Sequence, residues 1–242
     1  MSTVEKIHIG ILTPHAADRP HFGDLRALVP EKIALTIESI GLSRDSGLAG
    51  RTDLILQRAT EIVRDHGVQG LIVTGAPTMI LNPGLEHKLA QAVAVPVTTA
   101  VRATTAALRA MGAAKLILMT PFDDAMNSML EERLERGGFA VLSCPSLEHL
   151  GARTGTNVPA DHIFSIVEKI VREAPGADAV YFQGAPFNPL PVIERIEREL
   201  KLPVVASNPA MVWHLLSTLG HKLSIRGYGK LLADWPPLAE AA

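Results

Sequence analysis

Short runs of β-branched and aliphatic residues alternate along this chain with longer segments whose apolar positions recur at helical spacing. The short runs predict strands at Ile7–Leu12, Ile33–Ile40, Leu71–Thr74, Val95–Thr98, Leu116–Thr120, Ala140–Cys144, Ala179–Phe182 and Pro203–Ala206. The longer segments predict helices at Asp53–Asp65, Leu85–Ala92, Ala103–Met111, Asp124–Arg136, Asp161–Glu173, Leu190–Leu200 and Ala210–Leu219. Pro159 and Asp161 mark one helix start, and Gly112 and Gly220 mark two helix ends. Helices between several of these strands, at this spacing, imply right-handed βαβ units and a mostly parallel sheet, an α/β protein.

The same pattern occurs twice. Ile11-Leu12-Thr13-Pro14 returns as Leu118-Met119-Thr120-Pro121, 107 positions on. Thr74-Gly75-Ala76-Pro77 returns as Gln183-Gly184-Ala185-Pro186, 109 positions on. Val95-Pro96-Val97 returns as Leu202-Pro203-Val204, each before a helix that ends in glycine. Three landmarks in one order predict two pseudo-symmetric Rossmann-like lobes. The expected division is 1–100 plus 208–242 for an N-terminal lobe and 101–207 for a C-terminal lobe, with an active cleft between them. Each landmark falls where an apolar strand stops, the edge at which open parallel sheets bind ligands. Glycine there lets backbone approach a ligand, and the N–H groups of Gly75, Ala76, Gly184 and Ala185 could hold a carboxylate.

Composition narrows the partners. With 47% hydrophobic but 4% aromatic residues, the core rests on Ala, Val, Ile and Leu, as suits helix-covered parallel sheets. A formal charge of −2 without a basic block argues against nucleic acid. No apolar stretch reaches the roughly 20 residues that span a bilayer, and the N-terminus lacks a signal-peptide pattern, so a cytoplasmic protein is expected. The single cysteine, Cys144, excludes an intramolecular disulfide.

Among groups that carry chemistry, His15 stands out as a general acid or base, because it follows Thr13-Pro14 at a strand end. Thr74 and Gln183 precede the paired glycines and need partners. Thr78, Asn82, Asn127 and Asn188 could supply neutral donors, and Asp123 or Asp124 suits a helix cap. Asn208, in Ser207-Asn208-Pro209, could cap the last helix or touch ligand. Arg153, in a polar loop ending at Asn157, could pair a second carboxylate or simply be solvated. His15, Asp18, His21 and Asp24 recur every three residues, which suggests a metal loop but equally a polar lid; no metal is expected. Cys144 reads as a structural strand-end residue and His214 as a packed or surface histidine.

The duplication, the strand-end Gly75 and Gly184, Thr120-Pro121-Phe122 with Asn127, and Gly227-Tyr228-Gly229-Lys230 resemble the aspartate/glutamate racemase superfamily. The nearest likeness inside it is to arylmalonate decarboxylase and maleate cis-trans isomerase. The resemblance implies cofactor-free proton transfer next to a carboxylate, with cysteines at the paired strand ends of racemases and only the second kept in arylmalonate decarboxylase. Carried onto this chain, the first cysteine position reads Gly75 and the second Gly184. The hydroxyl pair of the oxyanion pocket reads Ala76-Pro77, its tyrosine reads Phe122, and Pro77 has no N–H to donate.

The expected function is a lyase (decarboxylase-like) or isomerase for a small carboxylic acid, without cofactor or catalytic thiol. His15 would move the proton. Thr13, Pro14, Thr74, Gly75, Ala76, Pro77, Thr78, Thr120, Phe122, Asn127, Gln183, Gly184, Ala185 and Asn208 would surround the substrate. A ligand-sensing homologue and a hydratase or hydrolase using the His/Asp loop are the alternatives. The expected partner is a small carboxylate, with a homo-oligomer left open. Gly184→Cys is expected to fold without creating a racemase, and Gly75→Val or Gly184→Val to fold but bind poorly.

Overall fold

The computed structural model describes residues 7–17, 25–42, 47–145, 158–184 and 188–239. The chain divides into two compact units, Met1–Ala100 and Val101–Ala242. The first holds β1 (Ile7–Thr13), β2 (Ile33–Ser39), α1 (Thr52–His66), β3 (Gly70–Val73), α2 (Ala76–Ile80), α3 (Leu85–Ala92) and β4 (Val97–Thr99). At the junction comes α4 (Ala100–Ala110). The second holds β5 (Lys115–Met119), α5 (Asp124–Arg136), β6 (Ala140–Ser143), α6 (Ala160–Glu173), β7 (Ala179–Phe182), α7 (Ile193–Leu200), β8 (Val204–Ala206), α8 (Ser207–Thr218) and α9 (Lys230–Asp234). Residues 208–242, expected with the first lobe, fall in the second unit, where α8 and α9 pack on β8 and on each other.

All eight expected strands form, and each unit is a four-stranded sheet in one order: β2-β1-β3-β4 and β6-β5-β7-β8. Every strand pair is parallel. The central strands read as unbroken apolar runs because helices cover both faces. β3 and β7 are buried at every residue, whereas the edge strands β2 and β6 are only partly covered. In the first unit, Leu12, Leu71 and Val73 of the sheet pack with Ile55, Ala59 and Ile62 of α1 and Leu85 and Leu89 of α3.

Duplication extends to individual hydrogen bonds. At the amino ends of the sheets, Gln69 Oε1 accepts from His8 N (2.9 Å) and Gln69 N donates to His8 O (2.8 Å). Asp178 repeats this, its Oδ2 accepting from Lys115 N (2.8 Å) and its N donating to Lys115 O (2.7 Å). Helices α4 and α8 also correspond, each starting directly after its edge strand and each closing on glycine. Gly112 N donates to Arg109 O and Gly220 N to Ser217 O, both at 3.0 Å.

These two helices begin three residues before their expected starts. Thr99 and Ser207-Asn208-Pro209 look like loop residues, but the strands run into the helices without a turn. Pro209 is accommodated because first-turn N–H groups have no intrahelical acceptor. Among the described residues no side chain caps α8, so the capping role considered for Ser207-Asn208 is not taken up. Asp123 does cap α5, accepting from Met126 N at 2.9 Å.

Two buried ionisable groups belong to the scaffold of the second unit. Glu197 accepts from Val204 N (3.1 Å) and Lys230 N (2.9 Å), tying α7 to β8 and to the Gly-Tyr-Gly-Lys run. Burial raises its carboxyl above the ordinary range, partly offset by those backbone donors. His214 on α8 is 8% exposed, edge-on to Trp213, and its Nδ1 is sealed with no partner among the described residues. Burial, then the Arg102 charge, lowers its pKa from 6.5 to about 4. The folded protein thus favours the neutral ring, so the stability this contributes is present above pH 6.5 and lost as pH falls toward 4. The loss amounts to at most about 3 kcal/mol. Denaturant titrations at pH 7.5 and 4.5 should show that His214→Leu loses less stability on acidification than the wild type; equal losses would contradict the assignment.

Candidate functional site

Each unit carries the same turn at the end of its first central strand. Thr13 Oγ1 accepts from His15 N at 3.1 Å, and Thr120 Oγ1 accepts from Phe122 N at 3.2 Å. Such threonine turns bend the chain immediately after the strand. Thr13 and Thr120 are buried, Pro14 and Phe122 are half-buried, and His15 is exposed. In the second unit the turn is braced further. Thr120 Oγ1 donates to Asn127 Oδ1 at 2.5 Å, and Asn127 Nδ2 reaches Phe122 O at 3.4 Å.

The second central strand of each unit closes beside that turn. Thr74 N donates to Leu12 O and Gln183 N to Met119 O, both at 2.9 Å. Next come Gly75 at φ +86° and Gly184 at φ +107°, backbone that residues with a Cβ rarely adopt. Each lies against the proline of the neighbouring turn. A Cβ on Gly75 would sit 3.5 Å from Pro14 Cγ and 3.1 Å from Thr78 Oγ1; one on Gly184 would sit 2.6 Å from Pro121 Cδ.

The structure therefore brings Thr13, Pro14, His15, Thr74, Gly75, Ala76, Pro77 and Thr78 together at one strand-end cluster. Thr120, Phe122, Asn127, Gln183 and Gly184 form its counterpart in the other unit. Several of the expected donors are engaged by the fold itself. Thr78 is fully buried and donates to Thr74 O at 3.0 Å. Asn82 donates to Thr78 O (2.9 Å) and Leu48 O (2.8 Å) and accepts from Arg51 N (2.7 Å). Asn188 Oδ1 accepts from Leu190 N at 3.1 Å. Asn208 is half-buried in the first turn of α8. Gly75 is followed directly by the short helix α2, which the sequence pattern did not reveal.

Ala185 and Pro186, Asp18, His21 and Asp24 of the proposed metal loop, and Arg153–Asn157 lie outside the described residues. Among the described residues no three His, Cys, Asp or Glu side chains cluster to hold a metal, and no helix is long and apolar enough to cross a membrane. Cys144 lies just past β6, and burial, then Glu131, pushes its thiol far above the ordinary range.

Sequence reasoning missed Tyr181. This residue is fully buried in β7, where its hydroxyl lies 2.5 Å from Gln183 Oε1 and 2.7 Å from Thr104 Oγ1. Burial raises its pKa, which keeps the phenol protonated. A tyrosine among Val and Phe in a central strand was the available signal, since a buried hydroxyl needs a partner.

The backbone at Gly184 corrects two expectations. Neither Gly184→Cys nor a valine there is a neutral probe, because any Cβ meets Pro121 at a positive φ. We expect Gly184→Ala to destabilise by roughly 2–4 kcal/mol and Gly75→Ala by about 1–2 kcal/mol. Urea denaturation measures both, and a Gly184→Ala protein as stable as wild type would contradict the close packing.

Residues 11–232 match the family described as arylmalonate decarboxylase. The chain is 28% identical to arylmalonate decarboxylase of Bordetella bronchiseptica, over 93% of this chain and 96% of that one. It is 26% identical to maleate isomerase of Nocardia farcinica, over 64% of each. The solved structure of unliganded arylmalonate decarboxylase superposes with a TM-score of 0.81 at 23% identity, over 94% of this chain and 99% of that one. The fold is thus shared over 94% of the chain, and the chain belongs to the arylmalonate decarboxylase family.

Proposed function

We propose that this protein is a cofactor-independent lyase or isomerase that moves a proton next to a carboxylate of a small carboxylic acid, without a catalytic thiol. One observation carries the reading. A chain matching the arylmalonate decarboxylase family over residues 11–232 has its single cysteine past β6, while glycines occupy both strand ends that pack on Thr-Pro turns. Relatives named for arylmalonate decarboxylation and maleate isomerisation supply the substrate class. The Cys144 thiol, held protonated by burial and Glu131, is unsuited to act as base or nucleophile.

In this reading the substrate carboxylate meets backbone and neutral side-chain donors at the strand-end turns. Thr13, Pro14, Thr74, Gly75, Ala76, Pro77 and Thr78 shape the first cluster, and Thr120, Phe122, Asn127, Gln183 and Gly184 the second, with Asn208 beside β8. For a malonate, the bond to one carboxylate breaks and CO2 leaves. The electron pair passes into the remaining carboxylate as an enediolate, whose charge the donors stabilise. His15 then gives its proton to the α-carbon. Its backbone N–H is fixed in the Thr13 turn, which sets where the imidazole starts.

A second reading, a homologue that binds carboxylates without turning them over, is favoured by the same lack of a strand-end thiol. One experiment separates the two. Phenylmalonate is incubated in D2O, and phenylacetate and its α-deuterium are followed by NMR. The enzyme reading requires deuterated phenylacetate from wild type, or fumarate when maleate replaces phenylmalonate. His15→Ala should lower kcat about 10²–10⁴-fold with KM little changed. Cys144→Ser should stay within a few-fold of wild type. Full activity in His15→Ala, or none in a folded Cys144→Ser protein, would contradict the proposed roles. Binding without product would favour the second reading.

A further inference from the structure

The buried chain Thr104–Tyr181–Gln183 crosses from α4 to the carboxyl end of β7. Its atoms can be assigned by counting protons. Tyr181 carries one hydroxyl proton and has two polar neighbours, Gln183 Oε1 at 2.5 Å and Thr104 Oγ1 at 2.7 Å. Tyr181 donates to Gln183 Oε1, and the single proton of Thr104 is shared between the phenol oxygen at 2.7 Å and Val101 O at 3.1 Å.

With its oxygen committed inward, the Gln183 amide turns its NH2 the other way. Among the described residues Nε2 has no acceptor. The sealed polar side-chain atoms lacking partners among those residues are Arg58 Nε, Thr98 Oγ1 and His214 Nδ1, and Nε2 is not one of them. Gln183 is only 1% exposed. It lies one residue before Gly184, where β7 ends. Two N–H donors, held in one orientation by a buried phenol that stays protonated, are preorganised for an anion.

We infer that Gln183 Nε2 is a specificity-determining donor to the substrate carboxylate, and that Tyr181 and Thr104 are positioning residues that keep its amide from flipping. The inference rests on the carboxylate reading above. It explains how a strand end without cysteine or serine presents a side-chain donor, one that glutamate could not replace.

Calorimetric binding of phenylmalonate, and separately of maleate, tests it, with circular dichroism confirming the fold of each variant. Gln183→Leu should weaken binding about tenfold or more. Gln183→Glu should weaken it further near neutral pH and recover as pH falls, because the introduced carboxylate repels the ligand until it is protonated. Tyr181→Phe and Thr104→Val should each weaken binding about three- to tenfold by freeing the amide. Neither should weaken it further in a Gln183→Leu background, an outcome that a merely structural role would not give. Wild-type binding that survives Gln183→Leu within twofold, or additive losses in the double variants, would overturn the inference alone. A wild-type protein that binds neither acid would overturn the carboxylate reading and this inference with it.

Discussion

A glycine pressed against a proline is the contact on which both units turn. Gly75 meets Pro14, and Gly184 meets Pro121, each joining the ends of two neighbouring central strands. At Gly184 a Cβ would meet Pro121 at 2.6 Å, and at Gly75 the positive φ and Thr78 Oγ1 at 3.1 Å disfavour one, so glycine suits both strand ends. What remains for chemistry at these points is backbone N–H, the threonine turns and the residue just before each glycine. The tighter contact, at Gly184, leaves Gln183 as the last side chain of its strand, and there the buried phenol of Tyr181 takes up its oxygen.

This constraint also accounts for how legible the fold is. Central strands covered on both faces must be continuously apolar, so β1, β3, β5 and β7 stand out from the chain as runs. The Thr-Pro and Gly-Ala-Pro landmarks mark where those runs stop, and their repetition reveals the duplication. Helix boundaries were harder to read, because α4 and α8 begin directly on strand ends that carry Thr99 and Ser207, residues that usually signal a turn. The five residues of α2 are too few to show a periodicity, and Pro77 inside them looks like a break.

The strand-end turns were legible in the sequence, but the hydrogen bonds of their polar residues were not. Thr78, Asn82 and Asn127 have the chemistry of ligand donors, yet each spends its hydrogen bonds on backbone or on a neighbouring threonine. Composition cannot distinguish a polar group that serves a turn from one that serves a ligand, since both requirements fall at strand ends. Tyr181 went unnoticed for the opposite reason: its ring satisfies the strand pattern, and only its hydroxyl reveals the link to Gln183. Cys144 was correctly placed outside the paired strand ends, and its suppressed thiol follows from a burial that sequence alone does not disclose.

The account places carboxylate recognition on donors left at glycine-ended strands instead of on a thiol or a cation. A crystal structure with bound phenylmalonate tests that directly. The account predicts carboxylate oxygens within hydrogen-bonding distance of the Gly75–Ala76 backbone or of Gln183 Nε2, with no lysine or arginine in contact. A carboxylate held instead by a lysine or arginine, or bound away from both glycines, would contradict it.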